Sequence, residues 1–421
     1  MVNFKNLAVT ATALLSGALA APMVDDSGSA SIQAESTISG SYIVTLKDGV
    51  DAATAESHIQ WVGDVHKRSI NKRDSKGVEK TYTGNFNGYA GSFDESTLQE
   101  IRNNPDVAAV EEDQIWSLAF VDIGTASEPV TMQKRALTTQ SPATYGLAAV
   151  SHRESGNTEY IYDTKAGQGT YAYVVDSGVR LTHNEFEGRA TLGFTAFPGE
   201  EEDTLGHGTH VAGTIGSKTY GVAKKANLIS VKVFKGRTAS TSTILSGYNW
   251  AVNDIKDKGR QNSAVINMSL GGPVSSAFNN AVDNASAAGV LSIIAAGNER
   301  QNASNVSPAS ASSAVTVGAV SSDWSFASSY SNYGSVLDIF GPGTGVLSTW
   351  YTSDSATNSI TGTSMATPHI VGLASYAISV DGITGVSAIT NHLINSSTKN
   401  KITGNLRGSP NRLGNNNNSQ Q

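Results

Sequence analysis

The sequence predicts an α/β protein with a mainly parallel sheet covered on both faces, preceded by a smaller α+β unit. Three observations lead there. After residue 136, short apolar runs alternate with helical patterns, as in a sheet flanked by helices. Over residues 41–118, strand and helix patterns alternate on a smaller scale around a separate core. Finally, 421 residues exceed one ordinary domain.

Taken in order, the chain opens with Lys5 and an apolar run over 7–19, broken only by small residues and ending in Ala18-Leu19-Ala20. This layout predicts a secretory leader over 1–20 rather than a core helix. The run is too short to span a bilayer, and no later stretch reaches the roughly 18 apolar residues a membrane anchor needs. A soluble, secreted, extracellular product is expected. Export makes sequons meaningful, and Asn284, Asn302, Asn305, Asn395 and Asn417 begin such triplets, with the first four taken as glycosylation candidates. Asn267 also begins one, but sits within an apolar run and is set aside.

The first unit reads as a strand at 42–46, a helix at 52–65, a strand at 89–93, a helix at 95–103 and a strand at 107–110, with Pro105 as a stop signal. Nothing in it resembles a catalytic group. The charge run at 67–73 reads as a solvated loop, with a processing site as the alternative. Periodicity is lost over 119–135, a linker closing on Lys134-Arg135, which is read as a cleavage point before Ala136.

In the larger unit, strands are expected at 171–175, 228–233, 265–268, 290–295, 314–317 and 336–340, and helices at 207–215, 244–255, 277–288 and 363–378. The Asn-rich tail, from about 408, reads as disordered. There is no Cys, so a packed core must hold the fold. The net charge of −7, without a basic stripe, argues against a nucleic-acid partner.

Chemistry in such sheets gathers at the carboxyl ends of the strands. Asp176 ends one strand, ahead of Ser177-Gly178; read alone, it is a turn or cap residue. His207 lies in Gly206-His207-Gly208-Thr209-His210, whose glycines leave the imidazole room to meet another side chain. A zinc site is disfavoured because the Glu of a zinc-protease helix is missing. His210 and His369 read as structural. Ser364, in Gly362-Thr363-Ser364-Met365-Ala366, starts a helix whose N–H groups and dipole favour a developing oxyanion, although a serine there is ordinarily a cap. The order Asp, His, Ser, without Gly-x-Ser-x-Gly, disfavours an α/β-hydrolase.

These three segments, with Ser269-Leu270-Gly271-Gly272, Ala295-Ala296-Gly297-Asn298, Ser307-Pro308-Ala309-Ser310 and 331–338, resemble the signatures of the subtilases, closely those of the fungal proteinase K-like branch. The resemblance covers 136 to about 405. It implies a subtilisin-like three-layer fold and a serine endopeptidase of broad specificity, made as a zymogen and preferring large apolar or aromatic residues before the cut bond. The segment 41–118 resembles the family's inhibitory propeptide, implying that 21–135 acts as an intramolecular chaperone and inhibitor of the peptidase at 136–421.

The same resemblance implies Ser364 as nucleophile, His207 as base, Asp176 as its orienting partner and Asn298 as an oxyanion-hole donor. It places polypeptide substrate along Ser269, Leu270 and Gly271 and the 237–241 edge, with Ala295, Ala296 and Gly297 as a pocket wall. A structural Ca²⁺ is implied at Asp338 with the carbonyls of Ser312 and Ala314. No cofactor is needed for the chemistry, and a monomer is expected.

Overall fold

The computed structural model describes residues 36–69, 75–122 and 137–421. The leader at 1–20, residues 70–73 of the charge run and Lys134-Arg135-Ala136 lie outside them.

In the first part, four antiparallel strands run in the spatial order Val107–Leu118, Thr37–Leu46, Gly88–Ser92, Gly77–Tyr82. The helices Ala52–Arg68 and Glu95–Asn103 begin where Asp51 and Asp94 accept the N–H groups of Thr54 and Thr97, at 2.7 and 2.9 Å. Val44, Val62, Tyr89 and Ile101 form the small core. The strand Gly77–Tyr82 is not legible in the sequence, since Lys80 and Glu79 interrupt its apolar pattern. Nor is the length of Val107–Leu118, expected to stop at 110: its outer half pairs with strands more than a hundred residues away.

The second part is a nine-stranded sheet whose central strands are parallel, in the order Ile339–Pro342, Val315–Val320, Leu291–Ala295, Ala264–Met268, Tyr171–Asp176, Asn227–Lys232, Ala190–Thr195. Alternate residues of one strand enter different cores. Tyr173 and Val175 pack with Ile244, Tyr248 and Phe278 from the helices Thr241–Asp257 and Ser276–Ala287. Ala172 and Val174 pack with Val211, Ile215 and Ile370 from the helices His207–Gly216 and Thr363–Tyr376. Helices therefore cover both faces, which makes the three-layer α/β fold. Strand order reverses between Tyr171–Asp176 and Ala264–Met268, and the crevice beyond their carboxyl ends is where such folds bind ligands.

The C-terminal tail corrects the expected disorder. Arg412–Leu413 pairs with both Ile339–Pro342 and Thr398–Lys399. Asn415, Asn416 and Asn418 are buried, their amides donating to the carbonyls of His152, Ile161 and Ser151 at 2.9, 2.7 and 2.8 Å. Asn carries both donors and acceptors, so a polar run can satisfy buried backbone that an apolar one cannot. Contacts join both parts into one unit, Glu35–Gln421.

Candidate active site

Asp176 is the last residue of a strand buried from Ala172 onward, and its side chain has no solvent exposure. Its carboxylate accepts the Ser177 N–H at 2.7 Å and faces His207 Nδ1 at 2.8 and 2.9 Å through its two oxygens. This contact needs a glycine at 208. A Cβ there would run into the Gly178 carbonyl oxygen and lie 3.2 Å from the Asp176 carboxylate. His207 itself is the first residue of its helix, so its ring projects from the end nearest the crevice.

A second carboxylate, not singled out in the sequence, ties the two loops together. Asp203 accepts N–H groups from Leu205, Gly206 and Thr209 at 3.0, 2.9 and 3.0 Å, and hydroxyls from Ser177 and Thr209 at 2.9 and 2.6 Å. The Ser177 hydroxyl in turn accepts the Gly208 N–H at 2.9 Å. Burial pushes the Asp203 carboxyl up, against these hydrogen bonds. The buried Lys232 ammonium donates to the Ser177 carbonyl at 2.6 Å; burial pushes it down, opposed by Asp203 and Asp176. The available signal was an Asp four residues ahead of the His that opens a helix, a spacing that suits an Asx cap.

Ser364 is the second residue of a wholly buried helix. Pro368 has no N–H to offer the Ser364 carbonyl, and the Ser269 hydroxyl takes that acceptor at 2.9 Å. Reciprocally, the Ser364 hydroxyl donates to the Ser269 carbonyl at 3.0 Å. The hydroxyl therefore points at Ser269 and not at His207, whose Nε2 is buried without a hydrogen-bond partner among the described residues. Nucleophile–base bonds are often long or misaligned without substrate and tighten only with it in place.

Asn298 follows the strand Leu291–Ala295 and Gly297. Its Oδ1 accepts the Thr363 N–H at 2.9 Å and the Thr363 hydroxyl at 3.0 Å. This fixes the amide so that Nδ2, also buried and unpartnered among the described residues, lies 3.1 Å from the position a Gly362 Cβ would take. The Ala119 carbonyl oxygen crowds that same position, and the Ser364 N–H donates to it at 3.3 Å.

That carbonyl directly follows a strand running through the crevice. Val107–Leu118 lies between Thr238–Ser240 and Leu270–Pro273, antiparallel to both, with Ser117 opposite Thr238 on one side and Gly271 on the other. Leu118 donates to the Arg237 carbonyl at 3.1 Å, and Ala119 to Ser269 at 3.4 Å. Trp116 fills the space over Gly272, with its ring centroid 4.8 Å from that of Phe278. Of the other sequence-predicted wall, Ala295, Ala296 and Gly297 are buried at the end of their strand, and the Gly297 N–H donates to the Thr363 hydroxyl at 3.2 Å.

The remaining expectations map as follows. Asp338 accepts the Thr316 N–H at 2.8 Å; burial pushes its carboxyl up, partly offset by Arg412. The Ser312 hydroxyl donates to Asp283 at 3.3 Å, and Ala314 directly precedes the strand Val315–Val320. No cluster of three or more His, Cys, Asp or Glu suited to a metal occurs among the described residues. Burial holds His210 at about 3 and His369 at about 4, and both bond to backbone carbonyls, so they stay neutral and structural. Asn284, Asn302, Asn305, Asn395 and Asn417 are exposed, while Asn267 is fully buried. Asn284 Nδ2 donates to the Asn85 carbonyl of the first part at 3.3 Å.

Residues 167–415 match the subtilase family, and residues 41–119 match the peptidase inhibitor I9 family. The chain is 53% identical to the alkaline proteinase of Hapsidospora chrysogena over 416 residues, 98% of each chain. It is 52% identical to alkaline protease 1 of Aspergillus clavatus, again over 98% of each. It is 43% identical to a cuticle-degrading serine protease of Arthrobotrys oligospora, over 90% of this chain and 91% of the relative. A cold-adapted subtilisin-like serine proteinase of known structure superposes with a TM-score of 0.60 at 40% identity, covering 65% of this chain and 98% of its own.

Proposed function

The chain belongs to the subtilase family and is a subtilisin-like serine protease with an I9-type inhibitory propeptide; from that premise we propose that Asp176, His207 and Ser364 are its catalytic triad and Asn298 an oxyanion-hole donor. The Ser364 hydroxyl attacks the substrate carbonyl while His207 Nε2 takes its proton, and Asp176 holds the imidazole through Nδ1 and stabilises the imidazolium. The Ser364 N–H and Asn298 Nδ2 receive the oxyanion. His207 then protonates the leaving amine, and water releases the acyl group. The observation that carries this reading is the Ser364 N–H donating to the Ala119 carbonyl of an extended chain, with that oxygen and the unpartnered Asn298 Nδ2 both lying against Gly362.

The enzyme acts outside the cell, after removal of the leader at 1–20 and of a propeptide ending near 135. Substrate enters as an antiparallel strand between 237–241 and Ser269-Leu270-Gly271. Main-chain pairing tolerates sequence, which supports broad specificity, and the small wall of Ala295-Ala296-Gly297 supports large apolar or aromatic residues before the cut bond. A cleavage-site profile on denatured proteins tests this. Apolar and aromatic residues should dominate before the cut, and dominance of Lys or Arg would overturn the preference.

A structural Ca²⁺ at Asp338, with the Ser312 and Ala314 carbonyls, completes the proposal. The donors are hard oxygens, and the Asp338 carboxylate has one N–H on Oδ2, leaving lone pairs for a cation. With no Cys in the chain, the ion would carry stability that disulfides provide elsewhere. Chelation should lower Tm by several degrees, since each ~1 kcal/mol is worth about 2–4 °C in a domain of this size. An unchanged Tm would remove the ion from the account.

A further inference from the structure

We infer, on the reading of Ser364 as nucleophile, that Arg237 sets specificity on the leaving side of the cut bond: it favours an aromatic residue there and rejects Lys or Arg. The register comes from Ala119, whose carbonyl receives the Ser364 N–H at 3.3 Å. The next side chain, Phe120, therefore lies where the first leaving-side residue of a substrate would. Two groups border it. The Phe120 ring lies 4.6 Å from the His207 ring, and the Arg237 guanidinium lies 4.7 Å from the Phe120 centroid.

Arg237 is held at this place by its backbone. It directly precedes the edge strand Thr238–Ser240, and its carbonyl accepts the Leu118 N–H at 3.1 Å, a contact open to any extended chain in the crevice. Two cations stand close together on this rim, and they differ. Lys235 is paired with Glu200 at 2.7 Å, whereas Arg237 is exposed and has no ion-pair partner among the described residues. The uncompensated charge facing the leaving side is thus that of Arg237.

A guanidinium attracts the negative face of an aromatic ring and, being planar, stacks on it. It repels an ammonium or a second guanidinium in the same place. The discrimination grows as the reaction proceeds, because His207 becomes an imidazolium when it takes the Ser364 proton. An aromatic ring then borders two cations, while a Lys or Arg side chain is repelled by both. Interactions that strengthen in the transition state raise kcat as well as kcat/KM. The Ala295-Ala296-Gly297 wall takes no part, so this preference is independent of the one before the cut bond.

Peptides that share an apolar residue before the cut bond and differ only in Phe, Ala or Lys after it test this, with each cut located by mass. Ratios of kcat/KM are read within each processed enzyme, so that any effect of a substitution on the catalytic groups cancels. Arg237 is exposed, and replacing it leaves the core untouched. The wild-type enzyme should prefer Phe to Lys, and Arg237→Ala should lower that ratio about five- to twenty-fold, through loss of the ring contact and relief of repulsion. Arg237→Glu should lower it further. Arg237→Lys keeps the charge without the plane, so Lys should stay disfavoured against Ala while Phe loses part of its advantage. A Phe-to-Lys ratio unchanged in both Arg237→Ala and Arg237→Glu, in enzymes that still cut, overturns the inference and spares the nucleophile. No cleavage of any peptide, together with no fluorophosphonate adduct at Ser364, overturns both.

Discussion

Two strands bring backbone to the same crevice, and they are built in opposite ways. Tyr171–Asp176 is buried on both faces between parallel neighbours, and it delivers Asp176 as a fixed part of the fold. Val107–Leu118 pairs with the small sheet from Val107 to Gln114, and from Ile115 onward it is completed by edges of the peptidase part. On the proposed roles, the first strand belongs to the catalyst and the second occupies the place of a substrate. One crevice thus serves both catalysis and self-inhibition, and the two strands should respond differently to substitution.

The largest effect should come from the fixed side. Asn298→Ala removes an oxyanion donor while the strand Leu291–Ala295 stays in place, and kcat should fall roughly 10²–10³-fold, the magnitude recorded for removing the corresponding donor in a subtilisin. Steady-state kinetics with kcat unchanged would take Asn298 out of the site.

A smaller loss is expected from Asp203→Asn, which keeps shape but replaces one acceptor oxygen with a donor in the clamp between the two loops. Misplacing His207 by a fraction of an ångström should lower kcat about 10–10²-fold with little change in KM. Equal changes in KM, or none in kcat, would reduce Asp203 to a purely structural role.

The substrate-like strand gives the smallest and most pH-sensitive effect. Glu111 and Asp113 accept hydrogen bonds at the starts of two peptidase helices, Glu111 from the Ser275 hydroxyl and the Ala277 N–H, Asp113 from the Ser242 N–H and hydroxyl. Burial pushes the Glu111 carboxyl up. A docked value above the free one means that docking takes up a proton. Docking is therefore strongest below the ordinary glutamate range and weakens as pH rises through the docked value. Glu111→Gln should flatten the pH dependence of propeptide release; an unaltered profile would place the pH response elsewhere.

The same contrast explains what could be read from the sequence. Strands buried on both faces are continuous apolar runs, so 171–175, 228–233 and 265–268 are found within a residue or so of their bounds. The three motif segments are contiguous and carry their residues to the crevice together. Residues 111–118 gave no such signal: Glu111, Asp113 and Gln114 look solvated until groups from another part of the chain bond to them. Asp203 and Lys232 were missed because a lone Asp in a loop and a Lys ending a strand have ordinary surface readings, and only tertiary contact buries them. The Asn-rich tail was misjudged because composition records low hydrophobicity but not which backbone carbonyls await a donor.

The central claim is that Ser364 is an activated nucleophile in this crevice. It is tested most directly by treating the processed, folded protein with an organofluorophosphonate and mapping the adduct by mass. The account predicts a single adduct on Ser364, lost in His207→Ala. No adduct on a folded, processed chain, or an adduct that persists without His207, would contradict it.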